Sequence, residues 1–178
     1  NERRAELRER VIAEGVEQFL TWPTIVSTMF LGDAPPIKHE WEALRDSTDS
    51  GRWARAIRED DLGNPERLPY DAESSGSLVH QAYHLMTWER LTRRQVSCLK
   101  TIIEVGGGYG AMAKVARRAG FGGRYIIYDT PEFGLLQQFY LSQCGIEVEC
   151  FSEVQDVDAD LVIALWSLSE MSREERKQ

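Results

Sequence analysis

Near residue 99 the chain changes its period, and that change restricts the fold more than any other feature. Leu99-Lys100-Thr101-Ile102-Ile103-Glu104-Val105 is short, mostly apolar and β-branched, and three glycines stop it at once. Such a run suits a strand buried on both faces of a parallel sheet. Past Gly106-Gly107-Gly108-Tyr109-Gly110, the residues Met112, Val115, Ala116 and Ala119 fall at helical spacing, with Gly120 as the stop. A second strand, Tyr125-Ile126-Ile127-Tyr128, ends at Asp129. Thr130 is then placed to cap a helix, with Pro131 in its first turn and Glu132 favourably set against the dipole. Leu135, Leu136, Phe139 and Leu141 line that helix and Gly145 closes it. Residues 146–151 give a third strand and 161–165 a fourth, separated by the polar segment 152–160. Strands alternating with helices predict an α/β fold with a parallel sheet and right-handed crossovers.

Residues 1–96 read as helix and loop. From Leu7, the apolar residues Val11, Ile12, Val16, Phe19 and Leu20 keep helical spacing until Trp22-Pro23 ends or redirects the helix. Short helices are expected over residues 25–30, 39–45 and 51–59, and a longer one over 78–96. The turn-rich stretch 62–77 is the expected flexible connection. The chain therefore divides into a helical front, residues 1–96, and a sheet-forming region, residues 97–178. The front is a candidate lid, acceptor platform or homo-oligomer surface.

Net charge is −8, from 21 basic and 29 acidic side chains, and the arginines alternate with acids as on solvated helix faces. That argues against nucleic acid as a partner, which calls for a basic surplus or stripe. No apolar run approaches the roughly 20 residues that span a bilayer. The charged start is not a signal peptide's apolar core, so no membrane partner is expected and the cytoplasm is the expected location. Cys98, Cys144 and Cys150 are scattered and form no CxxC pair, which predicts buried small hydrophobes in a reducing compartment.

The glycine run sits between a strand and a helix, where the backbone turns sharply and a ligand can approach closely. Asp129 lies 19 residues beyond Gly110, at the tip of the next strand, where a carboxylate can accept both ribose hydroxyls of an adenosine-type ligand. Three readings compete: a tight turn alone, a nicotinamide or flavin dinucleotide site, or an S-adenosylmethionine site. Gly106-x-Gly108-x-x-Ala111 meets the loose dinucleotide fingerprint. Glu104 favours the third reading. A carboxylate two residues before the first glycine repels a pyrophosphate but suits a ligand carrying an ammonium and a sulfonium.

Glu-x-Gly-x-Gly-x-Gly after the first strand, with an acid after the second, resembles the class I S-adenosylmethionine-dependent methyltransferase superfamily. More narrowly, three strings resemble a family of bacterial sugar O-methyltransferases. They are Ile103-Glu104-Val105-Gly106-Gly107-Gly108-Tyr109-Gly110, Tyr128-Asp129-Thr130-Pro131-Glu132 and Ser167-Leu168-Ser169-Glu170-Met171. The resemblance runs from about residue 99 to 171. It implies a Rossmann-like sheet of seven strands, of which four are readable here, so the chain is expected to be cut after the fourth. It implies that Glu104 lies near the methionine amino group, with Gly106, Gly107, Gly108, Tyr109 and Gly110 along the methionine and ribose. Asp129 would hold the ribose hydroxyls, with Thr130 and Pro131 beside it. Ser152 and Glu153 would lie near the adenine, and Trp166 and Ser167 would face the transferable methyl. The acceptor it implies is a sugar or sugar-containing small molecule.

A sugar hydroxyl is a poor nucleophile, and a positioned base adds about 10²–10⁴-fold. Glu170, just past the fourth strand, is the sequence's candidate for that base. Tyr83 and His84 are candidates for touching the acceptor if helix 78–96 covers the pocket. His80 and His84 share one helical face, but no third ligand is marked and the HExxH pattern is absent, so no metal is expected. The rival functions are an NAD(P)-dependent oxidoreductase and a non-catalytic S-adenosylmethionine-binding module.

Overall fold

The computed structural model describes residue 10 and residues 16–167. After a 3₁₀ turn at Phe19–Thr21 come α1 (Pro23–Val26), α2 (Pro35–Arg45), α3 (Ser50–Ala56) and α4 (Gly76–Thr92). The second region contributes β1 (Thr101–Val105), α5 (Ala111–Arg118), β2 (Arg124–Tyr128), α6 (Pro131–Gln143), β3 (Glu149–Phe151) and β4 (Leu161–Ile163). The four strands are all parallel, in the order β3-β2-β1-β4. Beyond β1 the chain winds outward through β2 and β3, then returns to place β4 on the other side. This is the doubly wound, Rossmann-like arrangement, and it opens a crevice at the carboxyl ends of the strands where the winding reverses. No helix among the described residues is long and apolar enough to cross a membrane.

Strand alternation sorts the side chains. Ile102, Tyr125 and Ile127 join a large core with α4, α5, α6 and the front, whereas Ile103, Ile126 and Tyr128 form a small second cluster with Val105, Phe151, Val157 and Ala159. The large core is continuous between front and sheet: Phe19 meets Tyr109 and Tyr140 edge-on, at ring-centroid distances of 6.1 and 5.5 Å. Beside it lies a buried charge cluster. Lys114 of α5 is fully buried and donates to Glu59 Oε2 (2.8 Å) and the Tyr140 hydroxyl (2.6 Å), with Asp60 at 3.0 Å. A buried ammonium is tolerable only with such partners.

Several expectations need correction. α2 begins at Pro35, not residue 39, because Pro35 and Pro36 fill a first turn whose N–H groups have no helical partner anyway. α4 ends at Thr92, where Arg93 turns left-handed at φ 56°. Segment 62–77 is no flexible connection. Bridges Arg58–Ser74 and Leu68–Asp71 fold it back, Trp41 Nε1 donates to Asp71 (2.8 Å), and Ser75 Oγ donates to the buried Glu59 (2.6 Å). Thr130 stands at the N-cap of α6 but its side chain makes no capping bond; Asp129 Oδ1 instead accepts the Thr130 N–H. Leu135 is exposed, since the buried stripe of α6 runs through Leu136, Gln137, Tyr140 and Leu141. Cys98 is exposed, and Cys144 and Cys150 are only half-buried.

Candidate functional site

β1 delivers Glu104 to the crevice, the loop delivers Gly106, Gly107, Gly108 and Tyr109, and β2 delivers Asp129. The segment after β4 adds Leu165, Trp166 and Ser167. From the front come Thr24, Thr28 and Met29, and from α4 His80 and Gln81. Together with Ala111 and Phe133 these residues enclose a cleft of about 600 Å³. That lies within the range of roughly 300–1,000 Å³ typical of small-molecule sites.

The loop needs glycine for two separate reasons. Gly106 has φ +73°, and a Cβ there would lie 2.4 Å from Ser167 Cβ. Gly110 has φ +101°, and a Cβ there would press on Leu141 at 2.9 Å. The first lets the segment after β4 close on the loop; the second seats α5 against α6. Gly106 N–H is held by Tyr128 C=O at 2.9 Å, which ties the loop to the end of β2.

Two carboxyls share the floor. Asp129 accepts from Thr130 N–H and from Gln137 Nε2, each at 2.8 Å. Gln137 also donates to Gly108 C=O at 3.0 Å, so one amide fixes both the loop and the acid. Burial pushes Asp129 above the usual aspartate range, and the N–H groups of Thr130, Gly107 and Gly108 and the Gln137 amide pull it back. Glu104 is 5% exposed, and its Oε2 accepts from the Tyr125 hydroxyl at 2.8 Å. Burial raises its pKa to about 7, against the pull of the Tyr125 bond and with a push from Asp129. The charge that the sequence places at Glu104 is therefore conditional: it is complete only above neutral pH, or when a cation arrives to stabilise it.

The remaining sequence candidates divide. Trp166 lines the cleft at φ +66°, its ring 5.7 Å from that of His80. Ser167 lines it too, while its hydroxyl donates to Val105 C=O. The Tyr109 ring points away, into the aromatic cluster with Phe19, Phe30 and Tyr140. Gly110, Thr130 and Pro131 support the cleft from behind without lining it, and Ser152 and Glu153 are exposed outside it. Tyr83 and His84 also lie off the cleft wall; α4 turns His80 and Gln81 to it instead. Glu170 falls outside the described residues. Among those residues, no group of three or more His, Cys, Asp or Glu side chains is arranged to hold a metal.

Gln81, Thr24, Thr28 and Met29, and Gln137 behind Asp129, were not singled out for the cleft by the sequence, whereas a histidine of the His80–His84 pair was. Nothing local says which turn of α4 faces the loop.

No family model matches the chain, and no curated protein matches it. Among solved structures, it aligns with an SAH-bound methyltransferase of Podospora anserina at TM-score 0.38 and 13% identity, over 89% of this chain and 57% of that one. It also aligns with coclaurine N-methyltransferase bound to N-methylheliamine and SAH, at TM-score 0.42 and 11% identity, over 90% of this chain and 48% of that one. The chain thus spans about half the length of these structures. The sheet order above stands on this chain's own hydrogen bonding.

Proposed function

We propose that the cleft binds S-adenosylmethionine and that the chain is the cofactor-binding part of a methyltransferase acting on a hydroxyl of a sugar or sugar-containing small molecule. The observation that carries this reading is the placement of Glu104: a buried carboxyl directly beside a glycine cradle, with a second acid, Asp129, at the end of the neighbouring strand. The donor set fits the ligand. Asp129 suits a ribose diol, and Glu104 suits an ammonium. At Gly106 the missing Cβ lets Ser167 close against the loop beside them. A pyrophosphate, by contrast, would meet two carboxyls and, among the described lining residues, no lysine or arginine.

When bound, the cofactor supplies an activated methyl group on a cationic sulfur. The chain's contribution is to hold that group still and keep water from it. Fixing donor and acceptor in line can contribute about 7–11 kcal/mol of the barrier. Met29 packs across the loop, where a Cβ on Gly108 would be only 3.7 Å from it, and so closes the front of the cradle. The sugar acceptor rests on the sequence resemblance and on the polar front wall of the cleft, with Thr24, Thr28, His80 and Gln81.

A direct test is thermal unfolding with increasing S-adenosylhomocysteine. Binding to the folded state raises the midpoint in step with the logarithm of ligand concentration. An unchanged midpoint at millimolar ligand would count against the reading.

A further inference from the structure

Four described residues lining the cleft carry titratable side chains: Glu104, Asp129, Tyr109 and His80. Glu104 is tied down by Tyr125, Asp129 by Thr130 and Gln137, and the Tyr109 ring is buried in the aromatic cluster. His80 is left. Its Nδ1 lies 3.0 and 2.9 Å from the two oxygens of Glu40, a buried residue of α2. An ionised carboxylate can only accept, so Nδ1 carries a proton, and in the neutral ring Nε2 is then the acceptor. The Nε2 of His84, one turn along α4, lies 3.1 Å from His80 Nε2. Burial, and after it the neighbouring His80, hold His84 below the usual histidine range. On the same wall, Thr24 Oγ1 and Gln81 Oε1 are buried without a hydrogen-bond partner, and Thr24 as a whole is 6% exposed. Orphaned buried oxygens in a cleft wall call for a ligand that donates to them.

We propose that His80, oriented by Glu40, is the general base of the transfer, and that Thr24 and Gln81 bind other hydroxyls of a polyhydroxylated acceptor. This rests on the S-adenosylmethionine reading of the cleft. The acceptor hydroxyl replaces His84 as the partner of His80 Nε2. Its oxygen forms the new bond to the methyl carbon, the sulfur–methyl bond breaks with its electron pair going to sulfur, and the hydroxyl proton passes to Nε2. Glu40 stabilises the resulting imidazolium, which returns its proton to solvent. Glu40 is a positioning residue: it fixes which nitrogen is free, as the carboxylate does in a Ser-His-Asp triad.

The test uses the full chain, with calorimetry of S-adenosylhomocysteine, nitrogen NMR of histidine-labelled protein, and methyl transfer from labelled S-adenosylmethionine to free hexoses and hexose 1-phosphates. His80 is expected to show an Nδ1–H tautomer that Glu40→Gln scrambles, a change that a merely structural role for Glu40 would not produce. Addition of the sugars to the S-adenosylhomocysteine complex should shift His80 Nε2. His80→Gln should lower transfer by about 10²–10⁴-fold while leaving S-adenosylhomocysteine affinity within about threefold. If the homocysteine compound binds but His80→Gln transfers like the wild type, the proposal is overturned. It is overturned equally if no sugar either moves the His80 resonance or accepts methyl. If the homocysteine compound fails to bind at all, it is the reading of the cleft that falls.

Discussion

On the sheet side of the cleft, the two carboxyls are held by neighbours supplied by the sheet and its helix. Asp129 is held by the next residue and by Gln137, two turns into α6; Glu104 is held by Tyr125 on the adjacent strand. On the front side, His80 takes its orientation from Glu40, forty residues earlier, and Thr24 and Gln81 present oxygens with no partner. The first wall is set by neighbours close in the chain or sheet and the second by partners distant in sequence, and each holds buried oxygens without a hydrogen-bond partner, Gln137 Oε1 on the first and Thr24 Oγ1 and Gln81 Oε1 on the second. That division suits a site in which one wall holds an invariant nucleoside and the other a variable acceptor.

The joint between the walls is where a single change should matter most. Lys114→Ala strands Glu59, fully buried, without its cation. Breaking a buried pair from one side costs about 3–5 kcal/mol, to be read as a lower urea midpoint. Replacing Lys114 and Glu59 together by methionine and leucine should recover most of it. A small loss in Lys114→Ala would mean that front and sheet do not depend on this cluster.

Within the sheet wall, Asp129→Ala should weaken S-adenosylhomocysteine binding by about 1.5–3 kcal/mol, the range for hydrogen bonds to a charged group, measured by calorimetry. The same substitution should leave the His80 tautomer untouched if the two walls are independent. Gly106→Ala forces a left-handed backbone on alanine and drives a methyl group into Ser167. Strain of that kind costs about 1–3 kcal/mol. It should appear both as a lower melting temperature and as weaker binding, since the segment after β4 must move.

The smallest effect is the most specific. Glu104 has a pKa raised to about 7 by burial. For a carboxyl raised on folding, stability is fully present below the unfolded value, near 4.5, and is lost as pH rises through about 7. A ligand ammonium placed beside Glu104 reverses that cost by favouring the ionised form, so binding releases up to one proton. S-adenosylhomocysteine should therefore bind about tenfold more weakly at pH 6 than at pH 8. Glu104→Gln should flatten the profile and remove the pH-dependent loss of stability. A wild-type profile as flat as the variant's would take Glu104 out of ligand selection.

What the sequence made legible follows the same division. The β-branched run, the glycines and Asp129 lie close together in the chain, and their period and spacing gave the strands, the crossovers and the floor of the cleft. The front escaped because its contacts are long-range. Segment 62–77 has the composition of a loose linker, yet Trp41 and Glu59 hold it by side chains distant in sequence. Likewise Tyr83 and His84 share a helix with His80 and Gln81, and only the packing of α4 against α2 and α5 decides which pair faces the cleft. Thr130 stands at the cap position, yet its hydroxyl is buried with no hydrogen-bond partner and its own N–H goes to Asp129.

The central claim is that a carboxyl under the glycine loop selects an ammonium-bearing nucleoside over a diphosphate one. Parallel calorimetric titrations at pH 8 with S-adenosylhomocysteine and with NADH test it most directly. The account predicts one-to-one binding of the first, no detectable heat from the second, and a narrowed preference in Glu104→Gln. NADH binding at the cleft, with S-adenosylhomocysteine silent, would contradict it.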